Sequence, residues 1–388
     1  MISLKVRKKN LVMLPEDMLA NDFAGSIYGK YHEKTGVFNV FTAAAHDALN
    51  GDYIGEIGRE IPAEDCQDKL IGVRSGSTIE FSFNGQSFEV KTYNLIQNVF
   101  SRNTGILESS VMTDKSAILL GCGSVGSLVA LELAKAGVGK FLLIDNDIFE
   151  YHNICRHQCS IADVGNYKVD ALAQRIKAIN PYADVTAIPK TVETTEHEVF
   201  DRYCLGDNSI MVGGADNRAA DVYCNSISVM YKTPFISIGC WERAFAGEIF
   251  YWLPNSNMPC YKCAIGDGGE LSNKPNVNRR IYTNEEDLTK VQFTPGISVD
   301  INFVTTIAVK IIFDILNRKT DRYVPRLLDS LEQFTLVCNT NKTEIGGEMA
   351  EIFSYPLQVT TSLEVGFRGN CPPCEFGKEE TAEKGNDF

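Results

Sequence analysis

Three glycines, Gly121, Gly123 and Gly126, occupy the stretch LLGCGSVGSL with the spacing GxGxxG. Missing side chains at such positions let a backbone turn approach phosphate oxygens, and the helix that opens there adds positive potential for an anion. Further on, Asp145 closes a second apolar run, FLLIDND, where a carboxylate can accept hydrogen bonds from a ribose. This combination points to a nucleotide and leaves open which one; a glycine turn of purely structural purpose would read the same way.

The residues beyond Asp145 suit a triphosphate better than a nicotinamide. Hydride transfer needs a nicotinamide slot and a proton relay, whereas Arg156 and Lys168 flank the loop HQCSIADVGNY. Fixed cations neutralise the equatorial oxygens of a phosphoryl group and a departing pyrophosphate. Singly, each reads as readily as a solvated surface residue; their joint placement favours phosphate. Asp216 and Asn217 come after a third apolar run, SIMVGGA, at a strand end facing the same crevice. Mg²⁺ takes one or two carboxylates together with phosphate oxygens, which makes Asp216 a candidate anchor.

The cysteines carry a separate signal. PCYKC supplies Cys260 and Cys263, and CPPC supplies Cys371 and Cys374. Four thiolates in two such pairs suit a closed tetrahedral Zn²⁺ site, with redox pairs as the alternative. A zinc clip would tie the C-terminal segment to the sheet and contribute stability rather than reaction chemistry. Cys122 and Cys155 read as small apolar filler.

These residues need elements to position them. SAILL and KFLLI are apolar runs fit for strands buried on both faces, and SVGSLVALELAKAG has helical spacing and stops at Gly137. After them come a helix (KVDALAQRIKAINP), a strand (DVTAIPKTV), the strand SIMVGGAD and a helix (NRAADVYCNSISVMYK). That alternation predicts an α/β fold with a doubly wound, mostly parallel sheet. Before it, STIEFSFNGQSFEVKTYNL alternates about Asn84 and Gly85 as a two-residue hairpin, within a smaller β-rich or mixed N-terminal domain. The expected organisation is residues 1–97 as a recruitment or dimerisation domain, 98–377 as the nucleotide domain with its zinc clip, and 378–388 as a disordered tail.

The chain has 388 residues, 44% hydrophobic, with a formal charge of −13. That charge argues against a nucleic-acid surface. No apolar run suits a membrane span or signal peptide, so a cytoplasmic protein is expected.

From about residue 100 to 374 the ordered motifs GCGSVG, DND, NICRHQ, GNYK, ADN and the paired CxxC resemble the ThiF, MoeB and HesA superfamily of adenylating enzymes. This superfamily includes ubiquitin-activating enzymes and the MccB peptide-adenylating enzymes. The resemblance implies that Asp145 holds the ribose with Asp147 beside it. It implies too that Asn153, Arg156 and Lys168 bind the phosphates and stabilise the transition state, and that Asp216 is the magnesium-linked aspartate. Arg102, in VFSRNTG, would reach into the partner subunit's site, which implies a homodimer. The implied reaction is ATP-dependent adenylation of the C-terminal carboxylate of a ubiquitin-like or sulfur-carrier protein, of the bacterial conjugation type, with transfer to a conjugating enzyme. A short peptide is the alternative substrate, and an inactive nucleotide-binding scaffold is the alternative of another class. Two departures stand out. His157 occupies the place where the family usually has Gln, with Gln158 one place on, and residues 264–300 lack the cysteine of thioester-forming members, which leaves Cys240 as the remaining thiol candidate, with a packed core thiol as the favoured alternative.

Overall fold

In a computed structural model of the chain, residues 8–20, 22–60, 67–215, 217–241, 244–266, 295–324, 327–340, 359–363, 365–367, 369, 371 and 374 are described. The chain divides into two units, residues 1–104 with 177–182, and residues 105–176 with 183–388.

In the first unit, strands β1 (Leu11–Pro15), β2 (Gly25–His32), β3 (Val37–Val40), β4 (Asp52–Gly58), β5 (Leu70–Ser75), β6 (Thr78–Phe83) and β7 (Gln86–Tyr93) form a closed barrel in the order β1-β3-β2-β4-β5-β6-β7. Short helices α1 (Glu16–Ala20), α2 (Ala43–Leu49) and α3 (Leu95–Val99) accompany them. The expected hairpin is present. Phe83 pairs with Gln86, and Asn84 and Gly85 have φ of 49° and 76°, as a two-residue turn matched to the strand twist requires. Ile79, Phe81 and Phe88 from β6 and β7 join Val12, Leu14, Ile27 and Phe38 in the core. Closure itself depends on parallel pairing of β1 with β7 and with β3, contacts between segments far apart in the chain.

The second unit opens with α4 (Ser109–Thr113), followed by β8 (Ser116–Leu120), α5 (Ser124–Lys135), β9 (Lys140–Ile144), α6 (Lys168–Ile179), β10 (Asp184–Ile188), α7 (His197–Asp201), β11 (Ser209–Gly213) and α8 (Arg218–Met230). Then come β12 (Phe235–Cys240), β13 (Ala246–Trp252), α9 (Tyr261–Ile265), α10 (Ser298–Asn317), β14 (Phe334–Cys338) and β15 (Val359–Leu363). The sheet order is β10-β9-β8-β11-β12-β13-β14-β15. Its first five strands are parallel and β12 to β15 pair antiparallel. Every residue of β8 and β11 is buried, as the apolar runs predict for strands covered on both faces. Ile118, Leu120, Leu142 and Met211 pack with Cys224 and Ile227 of α8, while α5 and α10 pack together.

The order of the strands locates the crevice. The chain lays down β8, β9 and β10 in one direction and then returns to place β11 on the other side of β8. Ligands of such sheets bind at the carboxyl ends of the strands where the direction reverses, which here is between β8 and β11. Among the described residues no helix is long and apolar enough to cross a membrane.

Candidate functional site at the reversal of the sheet

Gly121 turns the chain after β8 with φ of 92°. A Cβ there would stand 2.7 Å from Ala215 Cα and 2.8 Å from the Gly214 carbonyl carbon, so only glycine lets this turn lie against the end of β11. In the first turn of α5, a Cβ on Gly126 would stand 1.9 Å from the Gly121 carbonyl oxygen. Gly123 differs: a Cβ there would meet nothing within 4 Å, and as the N-cap of α5 it leaves that helix end without a side-chain cap. Packing therefore demands two of the glycines, and the third leaves open space at an uncapped helix N-terminus. Backbone N–H groups and the helix dipole there favour an anion.

Asp145 lies directly after β9. Its Oδ2 accepts from Cys122 N at 2.7 Å and its Oδ1 from Asp147 N at 2.8 Å. An ionised carboxylate offers about four lone-pair positions, so acceptor capacity remains for ligand hydroxyls. Asp147 Oδ2 in turn accepts from Lys168 Nζ at 2.6 Å, and Lys168 N donates to Asp147 O at 2.9 Å. Lys168 begins α6, where its charge adds to an already positive helix end; Asp147 offsets that repulsion and fixes the ammonium. With the lysine side chain only 11% exposed, this cation is more strongly felt than a solvated one. Glycine turn, Asp145, Asp147 and Lys168 thus form one continuous series of bonds.

The segment after Asp147 holds Asn153 and Arg156. Asn153 Oδ1 accepts from Glu150 N at 2.9 Å in a reciprocal cap, which rigidifies the short 3₁₀ turn Tyr151–Asn153. Arg156 is half-buried, and a Cβ on Gly296 would stand 3.9 Å from its Nη1, so the guanidinium lies beside the approach to α10. Asn217 caps α8, its Oδ1 accepting from Ala219 N at 3.0 Å and Ala220 N at 3.4 Å. Asp216 lies outside the described residues, as do most of residues 264–300 and the 378–388 tail. Arg102 is an exposed residue of the first unit. Cys240 ends β12, half-buried.

The two cysteines read as filler part ways. Cys122 is fully buried, and burial together with the nearby Asp145 charge holds its thiol well above the usual range. Cys155 is exposed instead, its Sγ donating to His152 O at 3.4 Å, because the turn that carries it runs along the surface.

His157, a departure from the family's Gln in the sequence, has contacts that spacing did not foretell. Its Nδ1 accepts from Cys159 N at 3.0 Å, and its Nε2 lies 2.7 Å from Cys122 O. Since Nδ1 accepts, the neutral ring carries its proton on Nε2 and donates to that carbonyl. Burial pushes the pKa down to about 4. The hint in the sequence is its place directly after Arg156, where the family usually has Gln. Also unforeseen is a buried ion pair: Arg218 Nη2 donates to Glu248 Oε1 at 2.6 Å and Oε2 at 2.8 Å, and Trp241 Nε1 donates to Oε2 at 3.0 Å. Glu248 sits in an otherwise apolar strand, which gives no sign of a partner.

Cys260, Cys263, Cys371 and Cys374 come together, with all four sulfurs within 4.8 Å of one another. The Cys260 sulfur lies 3.9 Å from that of Cys263 and 3.3 Å from that of Cys371, and the Cys263 and Cys374 sulfurs are 3.5 Å apart. Zn–S bonds of about 2.3 Å in a tetrahedron place sulfurs about 3.8 Å apart, so this donor set fits Zn²⁺. Cys260 caps α9, and Tyr261 N donates to Asn225 Oδ1 of α8 at 2.7 Å, which anchors the first pair. Contact with Cys260 pushes the Cys374 thiol down, while that contact and burial push the Cys260 thiol up.

A cavity of about 550 Å³ lies in the barrel unit beside Asp22, Arg59, Arg74 and Gly76. Arg74 donates from Nη1 and Nη2 to Leu19 O, Met18 O and Phe23 O, its Nε stands 3.6 Å from Asp22 Oδ1, and Arg59 donates to Asp22, so these cations serve the barrel's own structure.

The profile of the ThiF family matches residues 100–342, more than half of the chain. The sulfur carrier protein ThiS adenylyltransferase of Bacillus subtilis (strain 168) is 29% identical over 157 residues, covering 40% of this chain and 45% of that protein. The ubiquitin-like modifier-activating enzyme 5 of Culex quinquefasciatus is 28% identical over 215 residues, covering 50% and 52%. The chain spans about half the length of the curated relatives it matches. Among solved structures, E. coli MccB aligns with a TM-score of 0.50 at 19% identity, covering 72% of this chain and 73% of that chain, a likeness of fold.

Proposed function

The chain belongs to the ThiF family, and from that premise we propose that it is an ATP-dependent adenylating enzyme acting on the C-terminal carboxylate of a ubiquitin-like or sulfur-carrier protein. A carboxylate oxygen of the guest chain attacks the α-phosphorus. The bond from that phosphorus to the α,β-bridging oxygen breaks, and pyrophosphate leaves with the bridging oxygen and its electrons. The products are an acyl-adenylate and pyrophosphate, and the nucleophile belongs to the substrate.

One observation carries this reading. The uncapped start of α5, with open space at Gly123, stands on the same bonded series as Asp145 and the fixed ammonium of Lys168, at the reversal of the sheet. Asp145 is suited to the ribose, the helix end and Lys168 to phosphate oxygens, and Arg156 to charge developing on pyrophosphate; Asn153, Asp147 and Asn217 hold the surrounding turns. Such groups act by standing in place before charge develops. ATP comes as its magnesium complex, the ion neutralising phosphate charge, with Asp216 as the residue proposed to hold it. Zn²⁺ held by Cys260, Cys263, Cys371 and Cys374 would supply structure alone, since four thiolates leave no open coordination position. We propose further that the enzyme works as a homodimer, with Arg102 of each subunit serving its partner, and that the adenylate passes to a conjugating enzyme.

ATP–pyrophosphate exchange tests the reading. Exchange should rise with a small protein ending in Gly-Gly and stay at background with short peptides. Stimulation by peptides alone would move the assignment to peptide adenylation; stimulation by neither would overturn both.

A further inference from the structure

We infer that His157 is a positioning residue for the nucleotide, locking the Cys122–Gly123 peptide so that its N–H faces the space at the start of α5. The inference rests on the adenylation reading.

Cys122 is held at both ends. Asp145 Oδ2 accepts from its N–H at 2.7 Å, and His157 Nε2–H donates to its carbonyl at 2.7 Å. In a trans peptide the carbonyl and the following N–H point in opposite directions. With the Cys122 carbonyl drawn toward His157, the Gly123 N–H must therefore point away from it. A Cβ on Gly123 would meet nothing within 4 Å, so the turn at this peptide has open space beside it.

The ring cannot easily let go. Cys159 N donates to Nδ1 at 3.0 Å, which fixes the tautomer, and the ring packs tilted against Phe149 at 4.9 Å between centroids. His157 is 8% exposed, so no water competes readily for the Cys122 carbonyl. On the next residue, Gln158 N donates to Ser127 Oγ of α5 at 3.4 Å. The segment that carries Asn153 and Arg156 is thereby fastened to the glycine turn and its helix at adjacent points. The consequence for chemistry is registration: phosphate oxygens held by the turn and the arginine that meets the leaving group stay in a fixed relation, without His157 touching either.

The test uses the full chain and ATP as probe. His157→Phe keeps a ring against Phe149 and removes both hydrogen bonds; His157→Gln retains an N–H donor for the Cys122 carbonyl. The Phe variant should bind ATP about tenfold more weakly in calorimetric titration, the scale of one lost hydrogen bond to a buried carbonyl. The Gln variant should recover most of that affinity. In the wild-type protein, the imidazole Nε2–H resonance of His157 should shift on saturation with ATP. A folded Phe variant with unchanged ATP affinity, or a resonance indifferent to ATP, would overturn the inference while leaving the adenylation reading intact. A wild-type chain that binds no ATP would overturn that reading, and this inference with it.

Discussion

Gly126→Ala puts the packing of the glycine turn to a test in which two effects have opposite signs. Within a helix, alanine is favoured over glycine by up to about 1 kcal/mol, and by less in the first turn where Gly126 sits, so with room for the methyl the variant would be the more stable protein. The structure gives no such room. The new Cβ would stand 1.9 Å from the Gly121 carbonyl oxygen, whereas real Cβ contacts essentially never fall under 3.0 Å. Turn and helix must separate by about 1 Å, and the atom in the way is backbone that itself lies against Ala215 and Gly214. Overpacking of this kind costs about 1–3 kcal/mol, and in a domain of this size each kcal/mol lowers Tm by about 2–4 °C. A misplacement of about 1 Å near reacting groups reduces catalysis up to about 100-fold. Thermal unfolding and ATP–pyrophosphate exchange read the two quantities separately. A variant with a raised Tm and undiminished exchange would show that α5 does not press on the Gly121 carbonyl and would refute the reasoning.

Arg156→Ala should reduce exchange by about 100-fold to 1,000-fold, the usual cost of removing a preorganised charge stabiliser, with dimerisation by sedimentation unchanged; equal exchange would count against the proposed role. The purified chain should contain one zinc ion per protomer by atomic absorption, and Cys260→Ser should lose the metal and melt at lower temperature. The folded pKa of His157, about 4, lies below the ordinary imidazole value of 6.5, because of burial first and the Lys168 charge in addition, against the Cys122 carbonyl and Asp163, which raise it. The unfolded chain therefore binds the proton more readily. Stability is full above about pH 6.5 and is lost as pH falls toward about 4, by at most about 3 kcal/mol; in His157→Gln the acid limb of the Tm–pH profile should flatten.

Local pattern made the nucleotide unit legible. SAILL and KFLLI read as strands because a segment covered on both faces has to be apolar at every position, and β8 and β9 are so buried apart from the half-buried Lys140. The helix after GCGSVG reads from its periodicity, and the Asn84-Gly85 hairpin from residues that accept positive φ. Each signal depends on neighbours in the chain, and neighbours are what a sequence displays. The four cysteines were visible as two pairs, yet their meeting across 111 residues belongs to the fold.

The remainder rests on contacts between distant positions. Barrel closure joins β1 to β7, the Glu248 carboxylate meets Arg218 from another element, and the Cys122 carbonyl finds His157 35 residues away. No period or motif encodes such a meeting, since any of several residue types can supply the donor and its geometry is set only when the elements pack. The sequence by itself determined the alternating strands and helices around the glycine turn, one hairpin before them, and which residue types are on hand for a nucleotide. Only the tertiary structure decided which of them touch, because hydrogen-bond partners and buried charges are selected by three-dimensional proximity, a quantity that chain separation does not fix.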